Sequence, residues 1–387
     1  MAYSKKKEEE IEATEEVGGK KKIKSALSPS EIRNLVNKKS GKRIVQTIDE
    51  MGKIPYWIPT SSRFLNSIIR HGDYGGIPGG RIVEIAGRPG AAKSFLALDI
   101  CKHAIKMGLD VFYFDSEGGI HDDFVISLGI DKEKFNHCLV SSFEETFSII
   151  DTLLTETTNR YLFVLDSYGA TATESENQGG YDPTAQISMG ARVVTLGIKK
   201  LMIPLVERES TFLVLNQIRD NMMADKWEKL KNPFRVSGPW QLNHSYSLRI
   251  WLFPSDAKDN AVNIDEQKVG ALVKAKIRKS RYRTADREAN IIFVWSGEKP
   301  KIMDEDTWID AIADHPNVSL GAWCTLKYKD GSEEKFRQAN FTSLCNTSEK
   351  FKKTVIEYMD EILIHKWTPP EGISDESSEL SKLSGGT

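Results

Sequence analysis

The segment Gly87–Ser94 reads GRPGAAKS and directly follows the apolar run Arg81–Ala86, RIVEIA. A helical pattern, Ser94–Lys106 (SFLALDICKHAIK), comes next. Buried strand, tight turn and helix in that order constrain the fold to an α/β sheet with a phosphate-binding loop at a strand's carboxyl end. The general pattern is G-x-x-x-x-G-K-[ST], and here Ala92 stands where the second glycine is usual. Ala gives the turn less conformational freedom than Gly, but the flanking pattern is intact. Gly87, Arg88, Pro89, Gly90, Ala91, Ala92, Lys93, Ser94 and Phe95 are the residues of this turn and helix start. Backbone N–H groups and the helix dipole favour negative charge there. Lys93 is placed to neutralise β- and γ-phosphates, and Ser94 to hold Mg²⁺.

The 387 residues are enough for one large core with smaller appendages. A net charge of -2 excludes recruitment of nucleic acid by a global field, so any such site must be a local patch. Cys101, Cys138, Cys324 and Cys345 are far apart with no C-x-x-C, as expected of a reduced, cytoplasmic protein. No long apolar stretch predicts a membrane span. His137-Cys138 has no second ligand pair nearby and is expected to be local structure.

The chain is expected to divide into a charged tail (1–25), an N-terminal helix and lead-in (26–56), a core (57–300), a small C-terminal α+β region (301–367) and a second tail (368–387). The tails are expected to be disordered from composition. Ser28 or Ser30 is the expected cap of a helix over Ser30–Lys38. Strands are expected at Ile82–Ala86, Val111–Asp115, Tyr161–Leu165, Thr211–Asn216, Ser247–Phe253, Gly270–Ile277 and Ile291–Trp295. Helices between the earlier ones imply a mostly parallel sheet covered on both faces, with ligands at the carboxyl ends of strands.

Three polar sites fall at such ends. Asp166 follows LFVL and suits a second Mg²⁺ anchor. Asp115-Ser116-Glu117 follows VFYF, where a carboxylate can polarise a water for attack on a γ-phosphate. Gln217 closes its strand and can sense a γ-phosphate by hydrogen bonding. Two loops leave the same side, 171–190 and 218–241. The second has little strand or helix character and mixes Arg219, Lys226, Lys229, Lys231 and Arg235 with Trp227, Phe234 and Trp240. Cations for phosphates and rings for bases suit single-stranded nucleic acid. Arg192 and Lys199, seven residues apart, share one helix face. Lys274–Arg287 is the most basic stretch; it is either a nucleic-acid track or a set of cations reaching a phosphate across a subunit interface.

Together these residues resemble the RecA family of homologous-recombination ATPases, of the phage or bacterial RecA/UvsX strand-exchange kind. The resemblance runs from about Ile58 to Trp295, with a fainter echo at Gly321-Ala322-Trp323. It rests on GGIPGGRIVEIAG (Gly75–Gly87), DSEGGIHDDF with LGI (Asp115–Ile130), VLDSYGA (Val164–Ala170) and, most specifically, LNQIR (Leu215–Arg219). It implies a RecA-like P-loop ATPase core using ATP and Mg²⁺, with Glu117 catalytic, Ser94 and Asp166 on the metal, and Gln217 as the switch. Phe124 and Trp295 fall where the family places aromatics against adenine. Lys279 and Arg281 fall where it places cations reaching a neighbour's ATP, with Lys274 and Lys276 as an alternative register. Arg192, Lys199, Arg219, Ser237 and Gly238 are the best-aligned DNA contacts, Arg235 joins them in the second loop, and Met222 and Ile187 or Met189 are candidate wedges between bases. The departures are Ala92, His121 near adenine, and Pro239-Trp240 in the second loop.

The activity implied is polymerisation as a helical filament on single-stranded DNA, pairing with homologous duplex, and DNA-stimulated ATP hydrolysis. The N-terminal helix and lead-in would dock on the next protomer, and single-strand-binding and mediator proteins are the accessory partners implied. A hexameric helicase or motor on the same core, or a nucleotide-gated filament protein without turnover, are the alternatives.

Overall fold

The computed structural model describes residues 27–41, 44–47, 53–70, 74–178, 187–222, 226–255, 261–264, 266–296 and 299–367. Both expected tails, and the middle of the 171–190 loop, lie outside the described residues. The chain falls into two compact units, Met1–Lys53 and Ile54–Thr387.

In the first unit, α1 (Pro29–Ser40) starts on a reciprocal cap. Ser28 accepts from the Glu31 N–H, while the Glu31 carboxylate accepts from the Ser28 N–H at 2.8 Å. Ser28, not Ser30, is therefore the cap. Ile32, Leu35 and Ile44 are exposed within this unit.

The second unit runs β1 (Trp57–Ile58), α2 (Arg63–Ile69), β2 (Ile77–Pro78), β3 (Ile82–Gly87), α3 (Lys93–Lys106), β4 (Asp110–Asp115), α4 (Asp122–Ser127), β5 (Phe135–Leu139), α5 (Phe143–Glu156) and β6 (Tyr161–Asp166). It continues with α6 (Glu174–Gln178), α7 (Ile187–Glu207), β7 (Thr211–Asp220), α8 (Lys226–Lys231), β8 (Phe234–Val236), α9 (Leu242–Ser245), β9 (Leu248–Pro254), β10 (Ala261–Ile264), β11 (Gln267–Ser280), β12 (Glu288–Val294) and β13 (Lys301–Met303). The C-terminal part carries α10 (Trp308–Ala311), β14 (Val318–Ser319), β15 (Cys324–Lys327), β16 (Glu333–Phe336), α11 (Phe341–Thr347) and α12 (Glu349–Leu363).

The main sheet has the order β13-β12-β11-β9-β3-β7-β6-β4-β5, with β10 on β11 and β8 on β7. Strands β9, β3, β7, β6, β4 and β5 run parallel to one another, and β11–β13 extend the sheet antiparallel from β9. The central strands are buried on both faces, which explains their largely apolar sequences, Glu84 and Arg249 apart. Period two divides each between two cores. Val83, Ile85, Leu162, Val164, Leu213 and Leu215 face one core, shared with α2 and α3. Ile82, Tyr161, Phe163, Leu165, Phe212 and Val214 face the other, beneath α5 and α7.

The 301–367 region adds the small antiparallel sheet β14-β15-β16 and packs Trp308, Phe336, Phe341 and Phe351 into the first core. Arg63 binds both carboxylate oxygens of Asp360 at 2.8 Å, joining α2 to α12.

Two expectations need correction. Strand β7 does not stop at Asn216 but runs to Asp220. The segment after it, expected to have little regular structure, contains α8 and then β8, which pairs back on β7. The 171–190 loop likewise holds α6, and α7 has already begun at Ile187. Short length and many polar and charged side chains hid both: β8 shows its period of two over three residues only, with Phe234 and Val236 half-buried about an exposed Arg235.

Candidate functional site

The phosphate loop joins β3 to α3. At Gly87 an added Cβ would lie 2.9 Å from Ala91 Cβ and 3.1 Å from the Leu252 carbonyl oxygen, so the turn closes only on glycine. Ala92 takes φ 57° and ψ 30°, the left-handed conformation that glycine adopts freely. The substitution thus keeps the loop's shape and places the strain on Ala92. Lys93 Nζ donates to the Arg88 carbonyl at 3.2 Å. Burial lowers its pKa, opposed by the negative charges of Asp166 and Glu117.

Asp166 ends β6 opposite Asp115 of β4 in register. Its Oδ2 accepts from Ser94 Oγ at 2.7 Å and from Tyr113 Oη at 2.6 Å. Burial raises the Asp166 pKa, and those two hydrogen bonds only partly counter it. A buried carboxylate and a hydroxyl converging at the head of α3 are hard oxygen donors. That set fits Mg²⁺, which takes few protein ligands and keeps water and phosphate for the rest. Among the described residues no group of three or more His, Cys, Asp or Glu gathers to hold a metal ion.

Glu117 follows β4 and its Oε1 accepts from Ser167 Oγ at 2.5 Å. Gln217 lies within β7, in register with Gly87 of β3. The phosphate loop and the strand leading to the second loop are therefore adjacent. Beyond Gln217, the β7–β8 hairpin sets Arg219 directly opposite Arg235, both exposed. Like charges facing each other across a strand pair destabilise it unless an anion intervenes. Arg88 of the phosphate loop bonds Asp220 at 3.0 Å and lies over the Phe234 ring at 5.1 Å. Met222, Trp227 and Trp240 are among the most exposed large apolar side chains.

Ser237 and Gly238 sit where the hairpin returns. Gly238 has φ +117° and a Cβ there would lie 3.0 Å from the Tyr168 ring, so the chain rests on that ring. Arg192 and Lys199, both exposed, line one cavity of ≈320 Å³ with Gln241, which brings α7 and the second loop together. The side chains of Ile187 and Met189 lie outside the described residues.

Phe124 packs edge-on to Phe95 at 5.6 Å, beside the first turn of α3, and Lys268 lies 5.9 Å over Trp295. Lys279 bonds the carbonyls of Asn243 and His244 at 2.6 and 3.2 Å, and Arg281 bonds that of His244 at 2.9 Å. Within one chain, no described hydrogen bond brings this pair to the phosphate loop. Lys274 and Lys276 are engaged with Glu288 on the neighbouring strand.

A family model described as the RecA N-terminal domain matches residues 23–298. The chain belongs to the RecA family. Protein RecA of Fusobacterium nucleatum is 29% identical over 316 residues, 81% of this chain and 78% of that protein. Protein RecA of Streptomyces rimosus is 25% identical over 308 residues, 79% of this chain and 78% of that one. Protein RecA of Malacoplasma penetrans is 33% identical over 172 residues, 42% of this chain, which there spans about half (51%) of the relative's length. A solved RadB recombinase overlaps 62% of this chain and 96% of its own at 19% identity and a TM-score of 0.43, too loose a likeness to bear on the site. No described helix is long and apolar enough to cross a membrane.

Within this RecA-family core, several connections were not singled out from sequence. Asn216 donates to Glu84 Oε1 at 3.1 Å and to the Ser237 carbonyl at 2.9 Å, and Arg249 Nε donates to Glu84 Oε2 at 2.6 Å. Glu84 is fully buried on β3. A buried chain thus links three adjacent strands to the return of the second loop. The signal available in sequence was polar residues inside otherwise apolar strands: Glu84 in RIVEIA and Arg249 in SLRIWLF.

Proposed function

We propose that this RecA-family chain is a DNA-dependent ATPase that polymerises on single-stranded DNA and carries out homologous pairing and strand exchange. The observation that carries the reading is the register of Gly87 with Gln217. It sets a phosphate loop beside a strand that runs on into paired, exposed cations. A γ-phosphate contacted by Gln217 would be felt at Arg219 and Arg235 through one continuous strand. ATP and DNA would then bind cooperatively, each favouring the same arrangement.

In this reading Lys93 and the loop N–H groups hold the phosphates, with Phe124 and Trp295 beside the base. Ser94 and Asp166 hold Mg²⁺, which when bound offsets phosphate charge. Glu117 orients the attacking water once it leaves Ser167. Lys279 and Arg281 act on the nucleotide of an adjacent copy. Arg192, Lys199, Arg219, Arg235, Ser237 and Gly238 hold DNA mainly by its backbone, leaving sequence recognition to base pairing, and Met222 is the wedge.

The test is strand exchange between a circular single strand and homologous linear duplex, with phosphate release measured alongside. Joint molecules and DNA-stimulated release are expected from the wild type, and neither from Lys93→Ala. Turnover without joint molecules, coupled to directional unwinding by closed rings, would identify a motor instead.

A further inference from the structure

His137 sits on β5, the edge strand, opposite Tyr113 of β4 in register. Its Nε2 lies 3.1 Å from Asp115 Oδ2. Asp115 is buried and points back into the loop that follows it. Its Oδ1 accepts from the N–H groups of Glu117 at 3.0 Å and Gly118 at 2.8 Å, and its Oδ2 from that of Ile120 at 3.3 Å. One carboxylate therefore gathers the N–H groups of residues 117, 118 and 120, beside the bonds that tie Ser116 to Asp166 and Ser167, and His137 is the side chain that holds that carboxylate. Burial works against the Asp115 charge, but the bonds from His137, Ile120, Glu117 and Gly118 outweigh it and keep its pKa below the ordinary value. An ionised carboxylate only accepts, so Nε2–H of His137 donates. The imidazole is about one-third exposed, with its side chain at 36%, and borders a cavity of ≈290 Å³ lined also by Asp122, Lys132 and Phe135.

Resting on the reading of Glu117 given above, we infer that His137 is a positioning residue for ATP hydrolysis, acting through Asp115 to fix the loop from which Glu117 reaches its water. Without the His137 bond, the Asp115 carboxylate keeps its backbone partners but loses its side-chain tie to the neighbouring strand, while the Asp115 carbonyl still accepts from the Val140 N–H at 3.2 Å. The loop then samples more orientations, and the carboxylate of Glu117 spends less time aligned. Binding of nucleotide and of DNA, made by other residues, is unaffected.

The experiment is steady-state ATP turnover on single-stranded DNA for His137→Leu, His137→Asn and His137→Gln, alone and in a Glu117→Gln background, with folding checked by thermal melting. Leu lacks a donor, and Asn places its amide too near the main chain to reach Asp115. Gln extends an N–H to about the Nε2 position. A misplacement of the order of an ångström costs up to about a hundredfold in rate, so Leu and Asn should lower kcat by about ten- to a hundredfold while KM for ATP and DNA affinity hold. Gln should restore most of the loss, and in the Glu117→Gln background all three should have no further effect. Unchanged kcat in folded Leu and Asn variants, a rise in KM alone, an equal loss in the Gln variant, or a full additional loss in the Glu117→Gln background would each overturn the inference. Wild-type turnover by Glu117→Gln would instead remove the reading of Glu117 itself, and the inference with it.

Discussion

Two residues of the proposed nucleotide site carry a strain or charge cost that experiment can read. Ala92 holds φ 57°, where a Cβ is crowded and glycine is not. Ala92→Gly is expected to stabilise the protein by up to about 1 kcal/mol, relief of backbone strain outweighing glycine's greater freedom in the unfolded chain. The midpoint of urea unfolding reads this directly, and a destabilised variant would show that the loop bears no strain. Asp166 is the charge case. Its folded pKa is raised above the ordinary 3.8, mainly by burial. The folded state therefore holds the Asp166 proton more tightly than the unfolded one, and this contribution to stability is lost as pH rises through the folded value. Asp166→Asn stays neutral and can still accept from Ser94 and Tyr113. In the absence of Mg²⁺ it should melt higher than wild type at neutral pH, and the difference should shrink as pH falls toward 3.8. With Mg²⁺ and ATP the order should reverse, because only the carboxylate binds the ion well. Parallel melting curves at all pH values would contradict the first part, and equal gains from Mg²⁺ and ATP the second.

At the scale of the element, the β7–β8 hairpin joins the phosphate loop to Arg219 and Arg235, the proposed DNA cations, by two routes of unequal strength. Arg88–Asp220 is exposed on both sides, and such pairs contribute about 0–1 kcal/mol, so Asp220→Asn should weaken the ATP dependence of DNA binding only a few-fold. The Glu84–Arg249 pair is buried, and removing one partner leaves an uncompensated charge. Arg249→Met is expected to cost about 3–5 kcal/mol in unfolding free energy, and a loss of under about 1 kcal/mol would deny the pair its role. Arg219→Ala should lower affinity for single strands and flatten the dependence of log K on log salt by about 0.7, with Arg235→Ala adding a similar second step. Unaltered salt slopes would remove the hairpin from the DNA site. The parallel core was legible because strands buried on both faces are written as mainly apolar runs, and because Asp166, the Asp115-Ser116-Glu117 segment and the phosphate loop follow such runs directly. The hairpin was not, since β8 is three residues long with Arg at its centre, and α8 is a six-residue helix with charge at four positions. The edge strand β5 was missed for a related reason: Asn136 and His137 break its apolar pattern, and one of them is the donor to Asp115. Tertiary pairing, not local propensity, makes these segments strands.

At the scale of the whole molecule, the nucleotide site is incomplete within one chain if Lys279 and Arg281 serve an adjacent copy. In the isolated chain both cations rest on carbonyls of α9, and burial and the Arg281 charge lower the Lys279 pKa. A lysine so placed gains by exchanging neutral carbonyls for a phosphate. A repeating head-to-tail contact that supplied that phosphate would also give an open helix, not a closed pair. The prediction is complementation between two inactive chains. Lys93→Ala spoils the phosphate loop and keeps the cations; Arg281→Ala does the reverse. Each alone should show little turnover on single-stranded DNA. Mixed in equal amounts before DNA is added, on the order of a quarter of the interfaces would combine an intact loop with intact cations, and turnover should return in that proportion. If the cations acted within their own chain, every chain in the mixture would keep its own defect and mixing would recover nothing. Preformed filaments of the two variants, combined afterwards, should recover turnover only as fast as protomers exchange.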